Sequence, residues 1–321
     1  MDNAVFDKAY TLCHSIINEV KKVISGNDRE ISLLLCALIS GGNVLIEDVP
    51  GVGKTTLASA LSRAAGLDFK RAQFTPDVMA SDITGFNMYN KKTESFEFRR
   101  GLAHTNILLA DEINRASPKT QSSLLEAMEE RRVTVDGVTY DMPLPFMVIA
   151  TQNPSGYVGT FPLPEAQLDR FALRITMGYP SPENELSIIM RRKNSDPMSL
   201  VNSVSSRDGI LALQRACEEV HVSDKVSEYI VSLVNATRSR PEFSLGASPR
   251  ASLALMRLSR ALALVSGRDY VLPKDVSGLF IDVVSHRVVL SREAKVSGVN
   301  AGAVLSDILS GTKVPFIENE K

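Results

Sequence analysis

The sequence predicts an α/β fold, in which a parallel sheet flanked by helices is followed by a helical lid. Three observations favour this fold. Over residues 1–180, short apolar runs alternate with amphipathic segments, and a glycine-rich turn separates the first apolar run from the helical pattern after it. Beyond residue 182 the periodicity is almost entirely helical. The expected organisation is an α/β domain at 1–180, an all-helical lid at 181–310 and a tail at 311–321.

The elements of the first domain follow from local sequence patterns. A helix is predicted at 55–65, where apolar residues recur on one stripe and Gly66 stands at the C-terminal cap. A second helix is predicted to begin after Ser117, an N-cap residue that precedes Pro118. The prolines at 180 and 182 end the alternation and set the domain boundary. Five apolar segments predict the strands of the sheet, at residues 43–46, 69–74, 106–110, 146–151 and 173–177.

Composition limits the functions that the chain can have. Its 321 residues carry a formal net charge of −1, so no global field draws it to nucleic acid, and nucleic-acid binding is not expected. The longest apolar stretch, at 33–39, is too short to span a membrane, and the first residues lack the pattern of a signal peptide. We therefore expect a cytoplasmic protein. Cys13, Cys36 and Cys217 are far apart, which predicts buried thiols and no disulfide or metal site.

The glycine-rich turn reads DVPGVGKT at residues 48–55 and is typical of a phosphate-binding loop. Backbone N–H groups of such a turn converge on an anion at the positive end of a helix. We expect Lys54 to contact the β- and γ-phosphates of a nucleotide and the Thr55 hydroxyl to bind Mg²⁺. One position departs from the pattern, because Asp48 stands where the motif has glycine. The predicted phosphate-binding residues are Pro50, Gly51, Val52, Gly53, Lys54, Thr55 and Thr56.

Polar side chains follow two further apolar runs. The run ILLADE at 107–112 places Asp111 at the carboxyl edge of the sheet, where it can hold Mg²⁺ directly or through water. Glu112 would then orient the attacking water and partly deprotonate it. The next strand ends before Asn153, whose amide is predicted to sense the γ-phosphate at the same edge. Mg-ATP hydrolysis is the chemistry that these groups predict.

Further segments extend the similarity to one family. Together with the phosphate loop, the acidic pair and Asn153, they resemble the MoxR branch of AAA+ ATPases over residues 10–310. Members of that branch often carry Gly or Asp at the position of Asp48, which accounts for the departure. The segments are QFTPD at 73–77, SDITG at 81–85, SGY at 155–157, LPEAQLDRF at 163–171 and GASPRA at 246–251.

The resemblance implies a ring, usually a hexamer, in which ATP binds between neighbouring subunits. It implies that Arg170 reaches the neighbour's γ-phosphate as an arginine finger, with Arg174 as the nearest competitor for that role. Arg250 stands where the branch places a second sensor arginine, which acts either in its own subunit or in the adjacent one. Ile24 and Gly26 lie in a segment that resembles the family's adenine-cradling segment.

Two segments are predicted to form hairpins that contact a client or partner. Residues 86–100 alternate aromatic and charged residues, and residues 133–140 contain the Asp-Gly pair of a two-residue turn. The alternative for both is plain edge structure. The charged run EERR at 129–132 is interpreted as a solvated helix end.

The function predicted for the chain is ATP-driven remodelling, assembly or maturation of partner proteins, as the resemblance implies, with a von Willebrand factor A domain protein as partner. Alternatives are a magnesium-chelatase-like subunit and a nucleic-acid motor related to MCM helicases, although the hairpin turn at 136–137 is acidic. An enhancer-binding activator would need a GAFTGA loop, which the sequence lacks. A nucleotide-gated scaffold without hydrolysis is a further alternative.

Overall fold

The computed structural model describes residues 3–152, 160–192 and 196–316. Its helices are α1 Asn3–Lys21, α2 Asp28–Ile39, α3 Lys54–Ala65, α4 Ala80–Thr84, α5 Pro118–Glu130, α6 Glu165–Leu168, α7 Pro182–Arg192, α8 Arg207–Glu218, α9 Asp224–Ala236, α10 Pro249–Val265, α11 Pro273–Val284, α12 Arg292–Val296 and α13 Ala301–Gly311. Its strands are β1 Val44–Glu47, β2 Phe69–Gln73, β3 Gly85–Asn90, β4 Ser95–Arg100, β5 Ile107–Asp111, β6 Arg132–Val135, β7 Val138–Asp141, β8 Met147–Gln152, β9 Leu173–Ile175, β10 Phe243–Leu245 and β11 Val289–Leu290.

The central sheet has five strands in the described residues, in the order β2-β5-β8-β1-β9, and every neighbouring pair is parallel. The five predicted apolar segments are these five strands, so the predicted α/β fold is confirmed. Because the strands are parallel, the segments that follow β1, β5 and β8 meet at one edge. The segments that precede β1 and β9 meet at the opposite edge.

Alternation along the strands gives the sheet two apolar faces. On β5, Ile107 and Leu109 belong to one buried cluster, whereas Leu108 and Ala110 belong to the other. Helices α1, α2 and α3 cover the first face, and α5 covers the second. The central strands β1, β5 and β8 are buried on both faces and are nearly continuous apolar runs, which is why their positions could be predicted from sequence.

The predicted helix ends are present in the structure. Gly53 (φ 97°) precedes α3 and Gly66 (φ 66°) ends it, and both glycines adopt the left-handed backbone conformation that residues with a Cβ rarely adopt. The Ser117 hydroxyl accepts a hydrogen bond from the Thr120 N–H group, and Pro118 is the first residue of α5. The cap at Gly53 joins the phosphate loop directly to the first turn of α3.

Both predicted hairpins form, as β3-β4 and β6-β7. Asp136 and Gly137 both have positive φ, as the tight turn between β6 and β7 requires. The hairpins contact each other: the rings of Phe98 and Tyr140 stack with centroids 3.7 Å apart, and the Asn87 amide donates to Asp136 at 2.8 Å. They therefore form one surface unit beside the sheet.

Helices α8 to α13, which we call the lid, follow the sheet. In the lid, α10 packs against α1 and α2, and α11 contacts β9 at the edge of the sheet. The antiparallel strands β10 and β11 form a short ribbon among these helices. Cys13, Cys36 and Cys217 are buried free thiols, as predicted. Among the described helices, none is both long and apolar enough to cross a membrane.

Candidate functional site

A cleft lies on both sides of the phosphate loop, at the carboxyl edge of the sheet. One side is a cavity of about 390 Å³ whose lining includes Val23 and Ile24 together with Val52 of the loop. The other side, of about 340 Å³, includes Lys54 and Asp111 in its lining. Both cavities share Gly51, Gly53, Thr55 and Thr56, so they are two ends of one cleft. The first end is apolar and the second is charged, which suits a base and its phosphates respectively.

The loop holds its lysine in place before any phosphate is bound. Lys54 is buried, and its Nζ donates to the main-chain oxygen of Asp48 at 2.7 Å. Burial lowers the pKa of Lys54, and the carboxylates of Asp48, Asp111 and Glu112 partly offset this effect. A polyphosphate in the cleft would add further negative charge beside the buried ammonium and favour its charged form.

The acidic pair lies opposite the lysine in a connected polar network. Asp111 accepts hydrogen bonds from the Thr151 hydroxyl at 2.6 Å and from Arg71 at 2.5 Å and 3.1 Å. Glu112 accepts from the Gln73 amide at 3.0 Å and from Arg115 at 2.9 Å. These contacts fix both carboxylates at the carboxyl edge, as the sequence predicted.

The backbone at Glu112 is strained. Its φ of 55° and ψ of 49° lie in the left-handed region, which is costly for a residue with a side chain. The Thr151 hydroxyl, which also donates to Asp111, accepts the Glu112 N–H at 2.9 Å and holds this conformation. Such strain is typical of functional positions, because the surrounding structure must enforce it.

The residues of the cleft fit a magnesium nucleotide. An added Cβ at Gly51 or Gly53 would meet nothing within 4 Å, so the loop borders open space where phosphate oxygens can approach the backbone. Asp111 and Thr55 offer the hard oxygen ligands that Mg²⁺ prefers, and both line the charged end of the cleft.

Asp48 has a structural role that the motif did not reveal. Its buried carboxylate accepts three main-chain hydrogen bonds: from Val49 at 2.8 Å, Met177 at 2.6 Å and Gly178 at 2.7 Å. Met177 and Gly178 follow β9 and lead to α7. The residue that replaces the motif's glycine therefore ties the start of the phosphate loop to the chain segment that leaves the sheet.

We expect Asp48→Asn to destabilise the protein by about 2–3 kcal/mol. The amide nitrogen that replaces one carboxylate oxygen cannot accept the main-chain hydrogen bonds that this oxygen accepts. Asp48→Gly, although it restores the motif, should cost at least as much, since all three donors lose their acceptor. Urea unfolding measures both. Asp136→Asn, in the hairpin turn, is the control and should change the free energy of unfolding by less than about 0.5 kcal/mol. A wild-type unfolding midpoint for Asp48→Asn would contradict this role.

Arg170 and Arg250 lie at the opposite edge of the sheet. They line a cavity of about 300 Å³ together with Gly41, Gly42 and Asn43, which precede β1. Arg170 Nε lies 3.2 Å from Glu129 Oε2, and Arg250 pairs with the other oxygen of the same carboxylate. Glu129 lies exposed at the end of α5, as predicted for the run at 129–132, and it also forms ion pairs with both arginines.

The loop that carries Arg170 is held by the lid. Asp169 accepts from the Ser248 hydroxyl at 2.8 Å and from Arg287 Nε at 2.9 Å. Arg287 is 6% exposed and also donates to the main-chain oxygens of Phe171 and Ala172. Burial lowers the pKa of Arg287 to about 10, and Asp169 opposes this shift. Asp169 thus pairs with Arg287, whereas Arg170 pairs with another carboxylate of its own chain, that of Glu129.

Three predicted residues stand apart from these groups. Arg174 pairs with Glu47 at 2.7 Å, at the end of β1, and does not line the cavity that holds Arg170. Gly26 does not line the cleft; an added Cβ would lie 2.1 Å from the Asn184 side chain. Asn153 lies outside the described residues.

Sequence reasoning missed four residues that organise the site. Arg71 and Gln73 hold the acidic pair, Glu129 joins the two arginines, and Arg287 fixes the loop before β9. For Arg287 a signal existed, since a cation lies three residues beyond the apolar end of α11. The other three are charged or polar residues in ordinary positions, and only the folded chain identifies their partners.

Comparison with known proteins finds relatives that match nearly the whole chain. A family model described as "ATPase family associated with various cellular activities (AAA)" matches residues 43–173, and one described as "AAA lid domain" matches residues 235–308. YeaC of Bacillus subtilis, an uncharacterised protein, is 49% identical and the match covers 95% of this chain and 96% of YeaC. Chaperone MoxR1 of Mycobacterium tuberculosis is 42% identical, with coverage of 97% and 84%.

A solved structure agrees with the described fold. The crystal structure of a candidate ATPase from Cytophaga hutchinsonii superposes with a TM-score of 0.91 at 36% identity, and the match covers 98% of each chain. The matches to these relatives thus span the phosphate loop, the acidic pair and the lid of this chain. The chain belongs to the MoxR family of AAA+ ATPases.

Proposed function

We propose that the protein hydrolyses Mg-ATP at sites shared between adjacent subunits of a ring, usually a hexamer, and uses the resulting motion to remodel or mature partner proteins. The observation that carries this proposal is the separation of the two halves of the catalytic machinery. Lys54, Asp111 and Glu112 lie at the carboxyl edge of the sheet, whereas Arg170 and Arg250 lie at its amino edge. A single chain therefore cannot bring them together.

The distance between the edges supports action across an interface. A strand rises about 3.3 Å per residue, so β1, with its four residues, separates the edges by about 13 Å. The side chains of Arg170 and Arg250 are tied to Glu129 on the amino side. We propose that both arginines, Arg250 as well as Arg170, serve the neighbouring subunit.

The chain's own residues divide the work of hydrolysis. Lys54 and the N–H groups of the phosphate loop bind the phosphates, and Thr55 and Asp111 hold the magnesium ion, which would neutralise charge on the β- and γ-phosphates. Glu112 orients the attacking water and accepts its proton. Arg170 of the adjacent copy stabilises the charge that develops on the transferred phosphoryl group, a contribution of about 10³ to 10⁵ in rate.

Mixing two inactive variants tests the shared site. Arg170→Ala removes the finger and Glu112→Gln removes the base, so each variant alone should hydrolyse ATP very slowly. In mixed rings, one of the interface types joins an intact Glu112 to an intact Arg170, and ATP turnover should return there. Mass spectrometry should first verify that the rings are mixed. No rescue in verified mixed rings would contradict action across the interface; Arg174→Ala, mixed in the same way, tests the competing finger.

The two hairpins are the surface that we propose for the client. Phe96 is 72% exposed and Tyr89 is 50% exposed at the end of the β3-β4 hairpin. The stack between Phe98 and Tyr140 would transmit movement of one hairpin to the other. A partner with a von Willebrand factor A domain is the proposed client, and capture by the Glu112→Gln variant in the presence of ATP would identify it.

A further inference from the structure

Glu129 stands at the centre of the amino-edge cavity, where one carboxylate meets two arginines. Its Oε2 lies 3.2 Å from Arg170 Nε, and its Oε1 accepts a hydrogen bond from Arg250 Nη2. The three residues come from different elements: α5, the loop before β9, and the first turn of α10. Glu129 is the residue that brings them together.

We infer that Glu129 is a positioning residue that sets Arg170 and Arg250 as a pair for the triphosphate of the adjacent subunit. The inference rests on the proposed action of these arginines across the interface. Without Glu129, two guanidinium groups would face each other with no intervening negative charge. Their repulsion would drive the two side chains apart and displace both from the orientation that Glu129 gives them.

A hydrogen bond to the main chain of α5 also orients the Arg170 side chain. Its Nη1 donates to the main-chain oxygen of Leu125 at 2.8 Å, one helical turn before Glu129 on α5. Its buried Nε approaches Glu129 at an angle that makes no hydrogen bond in the described residues. Glu129 therefore attracts Arg170 by charge, while the Leu125 oxygen fixes the direction of its guanidinium group.

The surrounding charge suits a polyphosphate. The cavity is also lined by Arg131 and Arg257, whereas its second carboxylate, Asp169, is engaged by the buried Arg287. One negative charge at Glu129 is enough to hold the arginine pair without neutralising the cavity. A phosphate group that enters from a neighbouring copy would find both guanidinium groups already facing it.

Glu129 should contribute little to fold stability, because partly exposed ion pairs contribute little. Its side chain is 35% exposed, and its partners are 30% and 50% exposed. This separates a positioning role from a structural one. Loss of Glu129 should leave the unfolding midpoint and ATP binding unchanged and should lower the turnover number.

The experiment compares Glu129→Ala and Glu129→Gln with Glu130→Ala. Glu130 is the adjacent acid on α5 and pairs with Arg132 at 2.9 Å, away from the cavity. We expect kcat to fall about 10²-fold in Glu129→Ala, since a misplaced catalytic group costs about this much, while KM for ATP stays within about threefold. Glu130→Ala should keep wild-type values. If the alanine variant does not fold, the isosteric glutamine variant carries the same test.

Two further measurements identify how Glu129 acts. In an Arg170→Ala, Arg250→Ala background, Glu129→Ala should cause no additional loss, because its effect passes through those arginines. Mixed rings of Glu129→Ala and Glu112→Gln should regain turnover, since the Glu112→Gln subunit supplies an intact arginine pair. Unchanged or raised kcat in Glu129→Ala, with Arg170→Ala impaired, would overturn the positioning role alone. Wild-type turnover in Arg170→Ala would instead overturn the shared site itself.

Discussion

Lys54→Ala is expected to remove measurable ATP binding, a loss of affinity of at least about 100-fold, or about 2.7 kcal/mol. Lys54 is the buried cation at the charged end of the cleft, and its Nζ is already held 2.7 Å from the Asp48 carbonyl oxygen. Alanine removes the full charge and leaves only the backbone N–H groups to bind phosphate. Isothermal titration calorimetry with Mg-ATP measures the change.

The matched control is Lys70→Ala. Lys70 lies on β2 and its Nζ also donates to a main-chain oxygen, that of Gly101 at 3.4 Å, but it does not line the cleft. Its loss should leave ATP affinity within about twofold of wild type, because Lys70 does not line the cleft and salt screens charges outside it. ATP affinity that is unchanged in Lys54→Ala would exclude the phosphate role of the loop.

Glu112→Gln is expected to bind ATP normally and to hydrolyse it about 10² to 10⁴ times more slowly. Glutamine keeps the shape of the side chain and can accept from Arg115, but it is not basic enough to take a proton from water. The variant should therefore accumulate as an assembled, ATP-bound form. Single-turnover hydrolysis together with size-exclusion chromatography measures both properties.

Glu130→Gln controls for loss of an acid elsewhere on the surface, and it should hydrolyse ATP at the wild-type rate. The Glu112→Gln backbone must also be checked, because residue 112 has a left-handed conformation that the Thr151 hydroxyl holds. Unchanged unfolding in urea would show that it is retained. Wild-type turnover in this variant would remove Glu112 from the mechanism.

Local chemistry explains what could be predicted from the sequence. A central parallel strand buried on both faces is an apolar run, and β5 in particular has every residue buried, whereas the edge strand β2 is mostly polar and only partly buried. The turn before Lys54 needs positive φ at Gly51 and Gly53, which only glycine adopts readily. Both signals are contained in a few consecutive residues, and the fold class and the phosphate loop followed from them.

Long-range pairing explains what could not be predicted. Glu129 and Arg250 are 121 positions apart in sequence, and Arg287 and Asp169 are 118 apart, so no local pattern links them. The charged run at 129–132 has the composition of a solvated helix end, and only its place beside the loop before β9 distinguishes Glu129 from Glu130. Asp48 similarly departs from the motif, and its structural role is evident only from its three hydrogen-bond donors in the folded chain.

The grip of the lid on Asp169, through Ser248 and the buried Arg287, has a mechanical consequence. If Arg170 acts on the next copy as proposed, a turn of the lid would also move Asp169, the residue immediately before Arg170. The movement of the lid in one subunit would then control when its neighbour hydrolyses ATP. Hydrolysis would therefore proceed from subunit to subunit in a single direction.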